Sequence, residues 1–239
     1  MKALYKSTGG VLPDLMGYTI AFDLDGTLVD TAPDLVHAVN HVLLSCKRAT
    51  IKVDTLRALI GHGAKALIEA AFEATGDPVD RSQLPELIGE FLDYYNAHIA
   101  DHSRPFPGTE NALMRLRDSG ATLAVCTNKS QLLAENVLHA LGLTRYFRIV
   151  MGGDVLSVHK PDAGHLLETV RRANGTANRS LLVGDSPTDA TTARNAKIPF
   201  VAVTFGYTPV PPEEFGADAL IDHFDELDAA VAELACVAK

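Results

Sequence analysis

Short apolar runs alternate with longer stretches of helical period along most of this chain. Residues 19–22, Thr-Ile-Ala-Phe, are β-branched and aromatic and predict a buried strand. From residue 31 the period changes. Pro33 and Asp34 open a helix whose Leu35, Val36, Val39, Val42 and Leu43 keep helical spacing. A second helix is predicted over 63–75, with Ala64, Leu67, Ile68, Ala71 and Phe72 on one stripe, ended near Gly76-Asp77-Pro78. A third runs over 82–101 through Leu84, Leu87, Ile88, Phe91, Leu92 and Tyr95. Arg104-Pro105-Phe106-Pro107-Gly108 then breaks the pattern as a hinge. Beyond it, helices over 109–119, 131–141, 163–173, 188–196 and 226–235 alternate with strands over 122–126, 147–150, 180–183, 200–203 and 219–221. Such alternation predicts a parallel sheet with helices on both faces. The helical stretch 31–104 then forms a second, smaller domain set between the first strand and the rest.

Composition narrows the function classes. At 239 residues the chain suits one large domain or a core with an insert, and 47% hydrophobic against 21% charged residues is ordinary for a globular protein. A net charge of −9 argues against general binding to nucleic acid or an anionic membrane, though small anions remain compatible with it. Cys46, Cys126 and Cys236 are odd in number and far apart, so neither a disulfide framework nor a zinc spacing follows. Cys126 lies in an apolar run and reads as a buried strand thiol. Residues 1–17 hold Lys2 and Lys6 but no continuous apolar core of a signal sequence, and no later segment could span a bilayer. A cytoplasmic, reducing setting is expected. His37/His41 and His98/His102 have helical i, i+4 spacing but no evident third ligand, and are expected to be surface histidines.

Candidate chemistry gathers where the strands end. Asp23 and Asp25 close the first strand and lead into Gly26-Thr27-Leu28-Val29-Asp30. Strand side chains two apart project the same way, so both carboxylates enter one small volume at the strand's carboxyl end, where open α/β sheets bind ligands. Two carboxylates about 4 Å apart repel by roughly 4 kcal/mol at an effective dielectric near 20. A divalent cation with oxygen ligands would offset that; a surface Asp-Gly turn would explain the pair without one. Thr127-Asn128-Lys129 ends the next core strand, and a hydroxyl followed by amides entering a helix suits a phosphate oxygen or a plain N-cap. Lys160-Pro161 precedes the helix at Ala163 and, alone, also reads as a solvated loop lysine. Gly184-Asp185-Ser186-Pro187-Thr188-Asp189 places two carboxylates four apart after an apolar strand, mirroring Asp23 and Asp25, where they could hold a hard cation.

Together these four segments resemble, in order and over nearly the whole chain, the signature of the haloacid dehalogenase superfamily of phosphohydrolases. The resemblance implies an α/β fold: a Rossmann-like doubly wound parallel sheet core (1–30 and 105–239) with an inserted α-helical cap domain (31–104). Within the branch carrying a C1-type helical cap, the likeness is closest to phosphoglycolate phosphatases. It is carried by residues 22–35, Ile60-Gly61-His62-Gly63-Ala64-Lys65, Phe106-Pro107-Gly108 and Thr204-Phe205-Gly206-Tyr207. Those phosphatases often carry arginines after the Gly-x-Gly, where this chain has Lys65, Glu69 and Ala70.

By that resemblance Asp23 is the expected nucleophile, forming an aspartyl-phosphate that water then hydrolyses. Mg²⁺ is expected on the Asp23 carboxylate, the Asp25 backbone carbonyl and Asp185. The Asp25 side chain stays off the metal and hands a proton to the leaving alkoxide. Thr127 and the Asn128 amide would hold phosphate oxygens, Lys160 would add fixed positive charge, and Asp189 would orient metal-bound water or Lys160. Gly61, His62, Gly63 and Lys65 would close over the substrate and meet the glycolate carboxylate. The implied reaction takes 2-phosphoglycolate to glycolate and phosphate. Alternatives are another small phosphomonoester (a sugar phosphate or nucleoside monophosphate) or pyrophosphate, a sugar phosphomutase, or an inactive binding module on the same fold. Asp25 argues against the dehalogenases, which lack the second aspartate. The expected partner is a small-molecule phosphomonoester, with no nucleic acid and no membrane, on a monomer or homodimer.

Overall fold

Every residue of β1 (Thr19–Phe22) is buried, as a strand flanked on both sides and covered on both faces must be. In the computed structural model, which describes residues 12–237, β1 leads through the two-residue β2 (Val29–Asp30) into four helices. These are α1 (Ala32–Ser45), the single turn α2 (Val53–Leu56), α3 (Ala64–Thr75) and α4 (Leu84–Ala97). The chain returns along β3 (Arg104–Pro105), which pairs antiparallel with β2, Val29 opposite Pro105 and Asp30 opposite Arg104. The hinge segment expected at 104–108 is therefore partly a strand.

Regular alternation follows: α5 (Thr109–Asp118), β4 (Thr122–Cys126), α6 (Gln131–Ala140), β5 (Ile149–Met151), α7 (Ala163–Arg172), β6 (Ser180–Gly184), α8 (Pro187–Ala196), β7 (Phe200–Val203), β8 (Ala219–Ile221) and α9 (Leu227–Val237). The main sheet has six strands in the order β5-β4-β1-β6-β7-β8, all parallel. The alternation of β1 shows how both faces are covered. Ile20 and Phe22 join Leu113, Val137, Leu227 and Val231 from α5, α6 and α9, while Ala21 joins Leu166, Val170, Ala190 and Ala193 from α7 and α8. The helices between β2 and β3 have an apolar cluster of their own, built on Leu35, Val39, Leu67, Phe72, Leu87 and Phe91.

Several boundaries differ from the sequence pattern, most of them by one or two residues. The third helix stops at Ala97 rather than 101, because His98 leaves helical geometry (φ −121°) and its imidazole meets Asp101 at 2.8 Å. The strand expected at 147–150 shifts to Ile149–Met151, since Thr144–Tyr146 takes a 3₁₀ turn ahead of it. The leading segment with Lys2 and Lys6 lies largely outside the described residues. No helix among the described residues is long and apolar enough to cross a membrane.

In this topology the chain runs outward from β1 in both directions, to β4 and β5 on one side and to β6, β7 and β8 on the other. The carboxyl ends of β1, β4 and β6 thus open on one crevice at the reversal of strand order, where ligands of open sheets bind.

Candidate active site

Asp23, the first residue after β1, is nearly buried, and its Oδ1 accepts from the Leu24 amide (2.7 Å) and from Lys160 Nζ (2.9 Å). Among the described residues its Oδ2 has no hydrogen-bond partner. Lys160 is 2% exposed and also donates to Asp189 Oδ1 at 2.7 Å. Asn128 holds the Lys160 backbone: its Nδ2 donates to the Lys160 carbonyl (3.0 Å) and its Oδ1 accepts the Lys160 amide (2.9 Å). The side chain after β4 thereby positions the cation before α7, leaving the Asn128 amide for a ligand.

Asp185, at the end of β6, accepts from Thr27 Oγ1 (3.1 Å) and from the Tyr207 amide (2.9 Å). Two glycines permit this approach. A Cβ on Gly26 (φ +82°) or on Gly206 would collide with the Asp185 side chain. Asp189 sits in the first turn of α8 in a reciprocal capping box, exchanging bonds with Ser186. With Lys160 on its other oxygen, Asp189 is fully engaged.

The carboxylates of Asp23, Asp185 and Asp189 offer oxygens within 4.8 Å of one another. One ammonium, Lys160, lies among these three acids. Burial pushes Asp23 up to about 6, against the pull of Lys160; burial, then the Asp189 and Asp23 charges, push Asp185 up to about 8. Burial works against the Lys160 ammonium, but Asp189 and Asp23 overcome it and hold the lysine charged. The all-oxygen donor set and its excess negative charge fit a hard divalent cation.

Asp25 meets a different environment. Its carboxylate accepts from Lys129 Nζ (3.0 Å) and Thr31 Oγ1 (2.5 Å), so its neighbours are donors rather than the second carboxylate that spacing alone suggests. Lys129 also donates to the Tyr95 hydroxyl at 2.9 Å and lies 4.6 Å from that ring's centroid. Tyr95, on α4, is wholly buried, and burial pushes its hydroxyl up to about 12. A chain of contacts thus runs from the end of β1 through the loop after β4 to the helices between β2 and β3. A cavity of about 390 Å³ opens over the site, with Asp23, Asp25, Thr127, Lys160 and Asp185 on one side and Leu59, Ile60, Gly61 and His62 on the other.

The family model for haloacid dehalogenase-like hydrolases matches residues 20–203, from β1 through β7. The chain belongs to that family. A phosphoglycolate phosphatase of Caulobacter vibrioides is 47% identical over 219 residues, covering 92% of both chains. One from Agrobacterium fabrum is 45% identical, covering 89% of this chain and 91% of its own. The crystal structure of a predicted phosphoglycolate phosphatase from Haemophilus somnus superposes with a TM-score of 0.84 at 27% identity, over 90% of this chain and 98% of that one.

In this haloacid dehalogenase-like hydrolase the structure gathers Asp23, Asp25, Thr127, Asn128, Lys160, Asp185, Gly61 and His62 around one cavity. Asp189 stands behind Lys160 and Asp23. Gly63 lines a smaller adjoining cavity with Tyr95 and Lys129. Lys65, expected beside the substrate, lines neither of these two cavities. Its side chain is exposed on α3 and pairs with Glu69 at 3.8 Å, an i, i+4 contact along the helix surface. Lys129 is the residue that motif spacing alone left without a role; it directly follows Asn128, and only the approach of Tyr95 shows where its charge goes. Tyr207 is a second such residue. Besides its amide on Asp185, its hydroxyl donates to Asp30 Oδ1 (2.7 Å) and accepts from the Thr31 amide (2.6 Å) at the start of α1.

Proposed function

We propose that this hydrolase is a Mg²⁺-dependent phosphomonoesterase that converts 2-phosphoglycolate to glycolate and phosphate through an aspartyl-phosphate on Asp23. The observation that carries it is the Asp23 carboxylate itself, on the wall of the cavity, with one oxygen tied to Leu24 and Lys160 and the other without a hydrogen-bond partner among the described residues. The names of the relatives at 45–47% identity support the substrate. The free oxygen attacks phosphorus in line, and the tied oxygen fixes its direction. Thr127, the Asn128 amide and Lys160 hold the phosphoryl oxygens as charge builds on them. Asp23, the Asp25 carbonyl and Asp185 would hold Mg²⁺, which would supply charge neutralisation to the reaction. Asp25 gives a proton to the departing alkoxide and then takes one from the water that opens the acyl phosphate. Lys129 and Thr31 hold its carboxylate in place for both transfers. The segment 31–104 acts as a cap that closes the cavity, with His62 and the Gly61 and Gly63 amides set to meet the carboxylate of the leaving group.

Exhaustive chelation should abolish turnover and Mg²⁺ should restore it, with Ca²⁺ inhibiting because its looser coordination occupies the attacking oxygen. Asp185→Asn should shift the Mg²⁺ requirement upward. Full activity in chelator would refute the metal assignment.

A panel of phosphorylated acids, sugars and nucleotides, compared by kcat/KM, tests the substrate. His62→Ala should cost roughly 10- to 150-fold on phosphoglycolate, the loss of one charge-assisted contact of about 1.5–3 kcal/mol, and spare an ester without a carboxylate. Lys65→Ala should change neither. Sugar phosphates or nucleotides outrunning phosphoglycolate in the unaltered protein would replace this substrate with another small phosphomonoester.

Asp25→Asn should slow alkyl phosphates by about 10²- to 10⁴-fold and aryl phosphates, whose leaving group needs little protonation, far less. Lys129→Met should show the same asymmetry at roughly a tenth of the size, because the carboxylate survives but loses its anchor. Equal losses on both ester types would remove Lys129 from the proton transfer.

A further inference from the structure

Two histidines that the helical spacing pairs with other partners come together in the fold. Asp34 lies in the first turn of α1 and His37 follows one turn later on the same face, while His102 precedes β3. The His37 and His102 rings meet edge-on, with centroids 4.5 Å apart and planes at 85°. Asp34 is buried beneath them. One ligand atom from each of the three lies within 4.8 Å of the others. Among the described residues neither imidazole has a hydrogen-bond or ion-pair partner. By contrast, His41 faces Glu90 at 3.2 Å, His98 faces Asp101 at 2.8 Å and His223 faces Asp225 at 3.2 Å.

We propose that Asp34, His37 and His102 form a second metal site, outside the Asp23 cluster, for a late first-row transition ion of the Zn²⁺ or Ni²⁺ kind. The donor set decides the class. Imidazole nitrogens suit Zn²⁺, Ni²⁺ or Cu²⁺, whereas Mg²⁺ prefers oxygen, so this site and the carboxylate cluster select different ions. The carboxylate is already oriented: it accepts from the His102 amide (3.0 Å), the Ser103 amide (2.7 Å) and Ser103 Oγ (2.6 Å). Hydrogen bonds of this kind hold a metal ligand in place before the ion arrives. Zn–N and Zn–O bonds of about 2.0–2.2 Å require donors roughly 3.3 Å apart, and two exposed imidazoles can close the remaining gap, up to about 1.5 Å, by rotation. Water completes the coordination from the solvent side.

The placement gives such an ion a consequence. Asp34 and His37 stand just past β2 and His102 just ahead of β3, the two strands by which the chain leaves the sheet for the helices and returns. An ion shared among them ties the outgoing and returning segments together and stiffens the connection about which the helical segment would move.

The test is a calorimetric titration of Zn²⁺ into the full chain in saturating Mg²⁺, with Cys46→Ser and Cys236→Ser as background so that the exposed thiols do not compete. One equivalent should bind in the micromolar range. Its affinity should fall at least about 30-fold in His37→Ala and, separately, in His102→Ala, the loss of one ligand of three. Zn²⁺ at a hundredfold excess over Kd should raise the Tm by roughly 5–10 °C in the background protein and not in either variant. His37→Gln and His102→Gln, which keep a polar side chain of similar reach, should match the alanine variants, and Mg²⁺-supported turnover reports that each variant is folded. Unchanged affinity and Tm response in the variants, or no zinc bound by the background protein, would overturn the site.

Discussion

Asp23→Asn should lower kcat by roughly 10⁴- to 10⁶-fold, the scale on which enzymes lose rate with their nucleophile, while leaving the fold as stable as before. The two halves of that expectation have separate causes. Chemistry stops because an amide cannot take the phosphoryl group. Stability survives because the amide keeps an oxygen where Oδ1 accepts from Leu24 and Lys160, and because the carboxylate it replaces is costly to bury, with its pKa raised to about 6 by that burial. Removing one of three clustered acids relieves repulsion on Asp185, which offsets the weaker pairing with Lys160. Rapid acid quench of the unaltered protein with substrate should trap a phosphate on the peptide carrying Asp23, and the variant should trap none. Turnover in Asp23→Asn above about 1% of the parent, after contamination and deamidation are controlled, would remove it as nucleophile; a fall in Tm of ten degrees or more would make the loss structural instead.

Much of this arrangement is legible in the amino-acid sequence. The β1 run, the later strands and the alternating helices follow from apolar period, and the motif residues fall at strand ends because that is where a parallel sheet opens. Period reads only one element at a time, however. The pairing of β2 with β3 joins residues some 75 positions apart and leaves no local trace beyond a Pro-rich break. Lys129 carries no period at all; its role depends on Tyr95, a position that the α4 stripe marks as core but whose hydroxyl meets the lysine only across the interface. The helical spacing of His37 with His41 and of His98 with His102 suggested two pairs, and tertiary packing took one member from each to make a third. Lys65 also shows how a local partner competes with a distant one: Glu69, four residues on, offers its charge a contact along the same helix surface.

Lys160→Met should cost roughly 3–5 kcal/mol in the absence of divalent ions, the penalty for breaking a buried ion pair from one side. Lys160 is the ammonium shared by Asp23 at 2.9 Å and Asp189 at 2.7 Å, and its removal leaves three nearly buried acids without a cation. Methionine fills most of the volume, so the cost is electrostatic rather than a cavity. In a chain of this length it corresponds to a fall in Tm of about 6–20 °C. The deficit should then shrink on adding Mg²⁺. A dication bound among the same carboxylates supplies part of the missing charge, and it binds the variant's folded state at least as favourably as the parent's because no ammonium repels it. Turnover should not recover with stability, since in the proposed reaction Lys160 would also hold the phosphoryl oxygens, and about 10³-fold of kcat should remain lost. Urea unfolding at neutral pH with and without Mg²⁺, on parent and variant, separates these effects. If the variant is as stable as the parent without Mg²⁺, or if Mg²⁺ stabilises the two equally, then Lys160 and the ion do not share one set of acids.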